Sequence, residues 1–396
     1  MISYAEAQTM VRSKAHSFGT ATIPLDRADG RVLTGIIRAD RDYPPFDRAS
    51  MDGYALRAED LQQGVRDFRV TETIFAGGTA RKELSAGECY KIMTGAPVPA
   101  GADVVIRRED TVEEGGMVRV RSDAGRPFLN IARRGEDLRA GDIVIDSPCI
   151  CEPPIIGLLA SLGQTELTVA NLPKVALITT GDEVVPVETQ PGPAQIRNSN
   201  RWLLQSLLKK WQIAPWFYGH ARDDKMSLKA MLGEALKAEI IILCGGVSAG
   251  DADYVPEMLE ASGVTCLFHK LAIKPGKPAW CGITADGAMV FALPGNPFSC
   301  LVGFILLIQP YLQACFGLPA PAPLSLPLAS LKKKKTSLDE FFPVRLHGAP
   351  AKLHEVTLNG SGDIRLGMQA SALALHPAAE GDLPPGAEVV IFPFPW

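Results

Sequence analysis

Apolar residues run almost unbroken through KVALITT (174–180), IIILC (240–244) and MVFAL (289–293). A strand that is apolar at odd and even positions alike is buried on both faces, as in a parallel sheet covered by helices. Between these runs the period changes. NSNRWLLQSLLKKW (198–211) and MSLKAMLGEALKAE (226–239) space their apolar residues three and four apart, which predicts amphipathic helices, the first capped by Asn198 or Ser199. A further helix is expected around 254–262, and the apolar stretch 299–308 reads as a buried one. Strands alternating with helices in this way predict a doubly wound α/β domain with a parallel sheet over 173–318.

The flanks follow other patterns. MISYAEAQTMVRSK (1–14) opens a helix: Ser3 and Glu6 make a capping box, and Tyr4, Ala7, Met10 and Val11 share a face. Helical character is expected to about residue 30 and β-type segments from about 31 to 150, punctuated by Gly, Pro and Asp. There VVIRRED and MVRVRSD flank EEGG as a hairpin, and a helix (153–163) and a strand (165–170) follow. PAPAPLSLP, ending at Pro327, has the composition of a linker, and FFPVRL, HEVTL and EVVIF beyond it predict a small C-terminal β-domain. The expected architecture is multidomain α/β plus β. Segments 1–50 and 141–172 form a discontinuous N-terminal linker domain, 51–140 an inserted β-rich domain, and 328–396 a β-barrel-like domain after the α/β core.

Composition narrows the function classes. With 46% hydrophobic and 21% charged residues the 396-residue chain is ordinary globular protein, and a net charge of −4 gives no global field for nucleic acid or an anionic membrane. KKKK (332–335) reads as a solvated face, and the apolar run 300–308 is too short to span a bilayer. Of the eight cysteines only Cys149 and Cys151 lie close, with no zinc spacing. Without a basic-then-apolar leader, the expectation is reduced thiols in a cytoplasmic protein, with neither nucleic acid nor membrane as partner.

In a doubly wound sheet the ligand crevice lies beyond the strand C-termini, here at TGDE, GGVSAGD and LPGNP. Gly245 and Gly246 permit close backbone approach, Ser248 offers a hydroxyl, and successive amides can nest a phosphate. Asp251 and Asp253 would repel that phosphate without a divalent cation between them, so the loop suits a magnesium–phosphate site, although a glycine- and aspartate-rich turn looks the same. Gly246–Gly250 also matches the G-x-S-x-G of a serine hydrolase; His269 is the nearest base, and no oxyanion segment accompanies it. HKLAIKPGKP sets Lys270, Lys274 and Lys277 around a Pro-Gly-Pro frame, a clamp for oxyanions or a surface turn. Asp182 and Glu183 in TGDE are a capping turn or a metal-facing pair. In PPFDRASMDGYA (44–55), Asp52 precedes glycine in a turn; Thr94 and Gly95 in KIMTGAPVPAGADVV could meet a ligand; Asp137 in RRGED sits beside two arginines.

Taken in order, PPFDRASMDGYA, KIMTGAPVPAGADVVI, RRGED, TTGDE, GGVSAGDADY, LAIKPGKP and LPGNPFS resemble the motifs of the molybdopterin molybdenumtransferase family, the MoeA-like proteins that include the enzymatic end of gephyrin. The resemblance runs from the first helix to about residue 315. It implies a homodimer of elongated subunits that binds adenylylated molybdopterin in the α/β domain, in a cleft completed by the partner subunit's inserted domain. It further implies use of Mg²⁺ and molybdate, cleavage of the phosphoanhydride and release of AMP. A molybdopterin-adenylylating protein would act upstream and apo-molybdoenzymes or their chaperones downstream.

Carried over motif by motif, Asp52, Asp137, Glu183, Asp223, Asp253 and Lys274 are the catalytic candidates, with Glu183 and Asp253 for the metal. Thr94, Gly95, Gly245, Gly246, Ser248, Gly250, Asp251, Lys270, Lys274, Lys277, Pro294 and Pro297 are the binding candidates. The departures gather at the C-terminus. Where the family has G-R-x-E-F-x-R this chain has SLDEFFP, putting Leu338 and Pro343 in place of arginines. The serine of the family's GSG-x-x-x-S is replaced by Leu366, with Arg365 as a candidate substitute cation, and Asn198 stands where aspartate is frequent. A divergent paralogue that carries molybdopterin without inserting metal therefore stays open beside the transferase.

Overall fold

The structure is a computed structural model and describes residues 1–122, 125–146, 148–247, 254–365 and 368–395. The chain divides into two compact units, one of residues 1–34, 148–156 and 166–396, the other of residues 35–147 and 157–165.

The larger unit is built on a six-stranded sheet in the order Phe217–Ala221, Val175–Thr180, Ile240–Cys244, Met289–Leu293, Trp280–Ile283, Thr265–His269. The first four strands are parallel, and Val175–Thr180, Ile240–Cys244 and Met289–Leu293 are buried at every position. The last two add an antiparallel edge, so the sheet is mixed where a purely parallel one was expected. Ser199–Lys209 is capped by Asn198, whose side chain accepts from the Arg201 amide at 3.1 Å, and Lys225–Ala235 is capped by Asp224.

The apolar helix is longer than its sequence signal. It runs 19 residues, Pro297–Cys315, and 78% of its apolar window is buried inside the protein, as a core helix requires. Phe304–Ile308 is a π-turn, with a physical cause close by. Pro310 has no N–H, so the Leu306 carbonyl loses its helical donor. The Gln8 side-chain amide, from the first helix (Tyr4–Ser13), donates to that carbonyl at 3.0 Å. The same helix starts with the Ser3–Glu6 capping box, buries Ala7 and Val11, and sets Tyr4 edge-on against Phe341 at 5.3 Å.

A second mixed sheet carries the C-terminal region, in the order Ile273–Lys274, Asp339–His347, Ala372–His376, Glu388–Pro393, Leu324–Pro327, with Lys352–Glu355 beside Asp339–His347. Part of the proline-rich stretch is therefore a strand and not linker: Leu324–Pro327 pairs antiparallel with Glu388–Pro393. The helical reading of the first thirty residues is likewise corrected, since Thr20–Pro24 is a strand pairing with Glu166–Ala170. In the smaller unit a six-stranded sheet contains Gly53–Leu56 one strand in from its edge. EEGG does make a hairpin turn, but between Thr111–Glu114 and Met117–Val120, while Val104–Arg107 pairs with Gly53–Leu56.

The run KKKK is not a solvated face. Lys332 is 3% exposed; its ammonium donates to Glu340 Oε1 at 2.9 Å and Glu355 Oε1 at 2.7 Å and lies 4.3 Å from the Phe342 ring centre. The Lys334 ammonium is bound to the carbonyls of Leu338, His376 and Pro377. Lys333 and Lys335 are exposed.

Replacing Gln8 by Leu keeps the helix but strands the Leu306 carbonyl in the core, which should cost about 1–3 kcal/mol in urea unfolding. A change within experimental error would show that the carbonyl does not need this donor.

Candidate active site

At the C-terminal ends of the parallel strands lies a cavity of about 1340 Å³, lined by the loops after Val175–Thr180, Ile240–Cys244 and Met289–Leu293, by KPGKP, and by the start of the C-terminal sheet. Its floor depends on one close approach. Gly245 has φ +102, and a Cβ there would fall 2.5 Å from Thr180 Oγ1. The Gly245 amide donates to the Leu293 carbonyl at 3.0 Å, so the residue is held between two strands and its N–H is not available to a phosphate. Gly246, at φ +68, donates no amide hydrogen bond among the described residues.

Three polar atoms in the wall are buried with no partner among the described residues, Thr180 Oγ1, Asn200 Oδ1 and Glu340 Oε2. Thr180 is 8% exposed, and the Asn200 amide donates to the Gly295 carbonyl at 2.6 Å. A buried hydroxyl without a partner costs free energy unless a ligand satisfies it. Sequence reasoning passed over Thr180 and Asn200, although TTGDE and NSN carried them in plain view. It also passed over Ser361, which accepts from Asn296 Nδ2 at 2.9 Å and ties the 360–362 turn to PGNP.

Glu183 and Asp223 line the cavity, and neither carboxylate has a cation partner among the described residues. Asp223 is held by the neighbouring loop: its carboxylate accepts from the Asp182 amide at 3.3 Å, and Asp182 accepts in return from the Asp223 amide at 3.4 Å. Glu183 lies back over Gly181, where a Cβ would meet Glu183 Oε2 at 2.6 Å. Hard carboxylate oxygens without cations fit a magnesium ion in chemistry. Lys274, Lys277, Pro294, Pro297, Gly245 and Gly246 also line the cavity, whereas Lys270, at φ +71, uses its backbone to hold Ile2 and Ala279 and is not in the lining. Ser248, Gly250, Asp251 and Asp253 lie outside the described residues, and so does Leu366. For the hydrolase reading, burial first and Lys270 second hold His269 down and so neutral, but no carboxylate hydrogen-bonds to it among the described residues to orient it as a base.

The remaining candidates belong to the smaller unit. Asp52 Oδ1 accepts from both the amide and the hydroxyl of Thr94 at 2.7 Å, so the carboxylate braces the turn at Gly95. Asp137 is exposed and its side chain makes no hydrogen bond or ion pair among the described residues; the RRGED arginine that does pair, Arg134, goes to Asp42. Leu338 and Pro343 both line the main cavity. Arg365 does not; it is bound two-fold to Asp363 at 2.9 and 2.6 Å, which holds that carboxylate well below its usual range.

Residues 2–163 match the MoeA N-terminal region (domain I and II), and residues 176–314 match a probable molybdopterin binding domain. The chain is 33% identical over 369 residues to a molybdopterin molybdenumtransferase of Synechocystis sp., covering 92% of both chains. The chain belongs to the molybdopterin molybdenumtransferase family. A second member, from Staphylococcus epidermidis, is 34% identical over 81% of this chain and 78% of its own. The solved molybdopterin biosynthesis moeA protein of Pyrococcus horikoshii OT3 superposes with a TM-score of 0.84 at 29% identity, over 100% of both chains. Family membership fixes the fold as multidomain α/β plus β and the chain as an enzyme of that family.

Two measurements test the site's construction. Gly245→Ala should lose at least about 2 kcal/mol of stability, from strained backbone and the Thr180 contact together; an unchanged unfolding midpoint would contradict the close approach. The Asp52 carboxyl is held below its ordinary value first by the Thr94 amide and then by the Thr94 hydroxyl. A depressed folded value adds stability above the unfolded carboxylate range, lost as pH falls through the folded value. Carbon NMR should show Asp52 titrating low and rising part-way in Thr94→Val; no change would exclude the hydroxyl as a brace.

Proposed function

We propose that the protein acts in molybdenum cofactor biosynthesis, inserting molybdate into adenylylated molybdopterin with Mg²⁺-dependent cleavage of the phosphoanhydride and release of AMP. The observation that carries this reading is the charge arrangement of one cavity wall. Glu183 and Asp223 have no cation, while Lys274 and Lys277 have no carboxylate among the described residues. Unpaired charges of both signs in one cavity suit a substrate that brings an anion and a cation together.

The chain's own residues divide the work. Thr180 and Gly246 offer the hydroxyl and amide for the phosphate end of the substrate, beside the Gly245 turn that fixes both. Glu183 and Asp223 would hold magnesium, which when bound supplies charge neutralisation at a phosphoryl oxygen. Lys274 and Lys277 attract molybdate and stabilise charge developing on the leaving phosphate. In this reading the chain works in the cytoplasm as a homodimer, with Asp52, Thr94 and Asp137 reaching the cleft from the inserted β-rich part of the partner subunit. It would receive its substrate from a molybdopterin-adenylylating protein and pass product to apo-molybdoenzymes or their chaperones.

A second reading, a molybdopterin carrier without efficient metal insertion, is favoured by Leu338 and Pro343 in the cavity wall. One assay separates the two: the protein is incubated with adenylylated molybdopterin, Mg²⁺ and molybdate, and AMP is followed. Molybdate-dependent release is expected, falling about 100-fold in Glu183→Gln and also in Asp52→Ala, with both variants folded. Tight binding without release would sink the transferase and leave the carrier. An Asp52→Ala chain that fails to fold would make Asp52 a turn residue only.

A further inference from the structure

We propose, resting on the molybdenumtransferase reading of the cavity, that Lys335 is an anion-binding residue of this chain, holding molybdate with Lys274 and Lys277 and supplying the charge that Leu338 lacks.

The lining cations are Arg197, Lys274, Lys277 and Lys335, and the lining carboxylates are Glu183, Asp223, Glu340 and Glu355. Arg197 is occupied by the Val187 carbonyl and by Gln190. Glu340 and Glu355 share the one ammonium of buried Lys332, which offsets one of their two charges, and Glu340 Oε2 has no partner among the described residues. Lys274, Lys277 and Lys335 remain without any ion pair or side-chain hydrogen bond among the described residues. Three ammonium groups lining one cavity without partners of their own can each donate to an anion that enters it.

The backbone brings Lys335 to this wall. Ile273–Lys274 pairs parallel with Asp339–His347, placing Lys274 in register with Glu340, two residues beyond Leu338. Lys335 and Leu338 sit on one turn, closed by the Lys334 ammonium on the Leu338 carbonyl at 3.3 Å and by the Leu338 amide on Thr336 Oγ1 at 3.3 Å. The turn is anchored again where the Lys334 amide donates to Asp382 at 2.7 Å. Both Lys335 and Leu338 line the cavity; Lys333, also exposed and two residues before Lys335, does not. An ammonium is a compact point charge on a flexible stem, suited to a tetrahedral oxyanion, and the apolar Leu338 beside it lowers the local dielectric and strengthens the attraction. Arg365, held by Asp363, is spoken for.

Equilibrium dialysis of the full chain against molybdate tests this without requiring turnover. Lys335→Ala should weaken binding about tenfold, Lys333→Ala should leave it unchanged, and Leu338→Arg in the Lys335→Ala background should restore most of it. Circular dichroism checks that each variant is folded. Equal weakening by both lysine variants, no effect of Lys335→Ala, a double variant no better than the single, or a wild type that binds no molybdate would each overturn the assignment. Lys335-dependent binding without AMP release would instead remove the transferase reading and leave the anion site standing.

Discussion

The site rests on a contact that tolerates no added atom. Gly245 leaves the end of its strand with a positive φ and passes so near Thr180 that a methyl group would lie 2.5 Å from the hydroxyl. Because the Gly245 amide is bonded to the next strand as well, three neighbouring strands end at one level. The cavity opens above that level, and each loop lining it starts from a strand whose end is fixed. A buried hydroxyl, a freed amide and two loop carboxylates then occupy set positions without long side chains to order, which keeps the entropy cost of binding low.

Charge is arranged with the same economy. Burying Lys332 among two carboxylates and a phenyl ring is costly in desolvation and is tolerated because the pairing is close to complete. Its effect on the cavity is electrostatic: one ammonium offsets one of the two carboxylate charges, while Glu340 Oε2 stays without a partner among the described residues. The carboxylates left unpaired, Glu183 and Asp223, come from the α/β sheet. Carboxylates without a cation and ammonium groups without a carboxylate thus come from different stretches of chain, converging only in the folded unit.

Much of this was legible in sequence where burial is uniform. VALITT, IIILC and MVFAL announced themselves because every position is buried, and the capping box at Ser3 because its chemistry is local. Thr265–His269 was missed because an edge strand, half exposed, keeps no steady alternation. Leu324–Pro327 hid behind its prolines, which an edge position tolerates. The true fate of Lys332 was not readable at all, since its partners Glu340 and Glu355 meet it only through strand pairing. For the site, motif resemblance supplied Glu183, Asp223, Lys274 and Lys277; it could not supply Lys335, which lies where this chain departs from the pattern.

The central claim is that one cavity holds both ends of the substrate. A crystal structure of the protein with adenylylated molybdopterin tests it most directly. The account predicts the phosphate end against Thr180 and Gly246 and the pterin dithiolene facing the lysines of KPGKP. Substrate bound outside this cavity, or bound in it with Thr180 Oγ1 still unpartnered, would contradict the account.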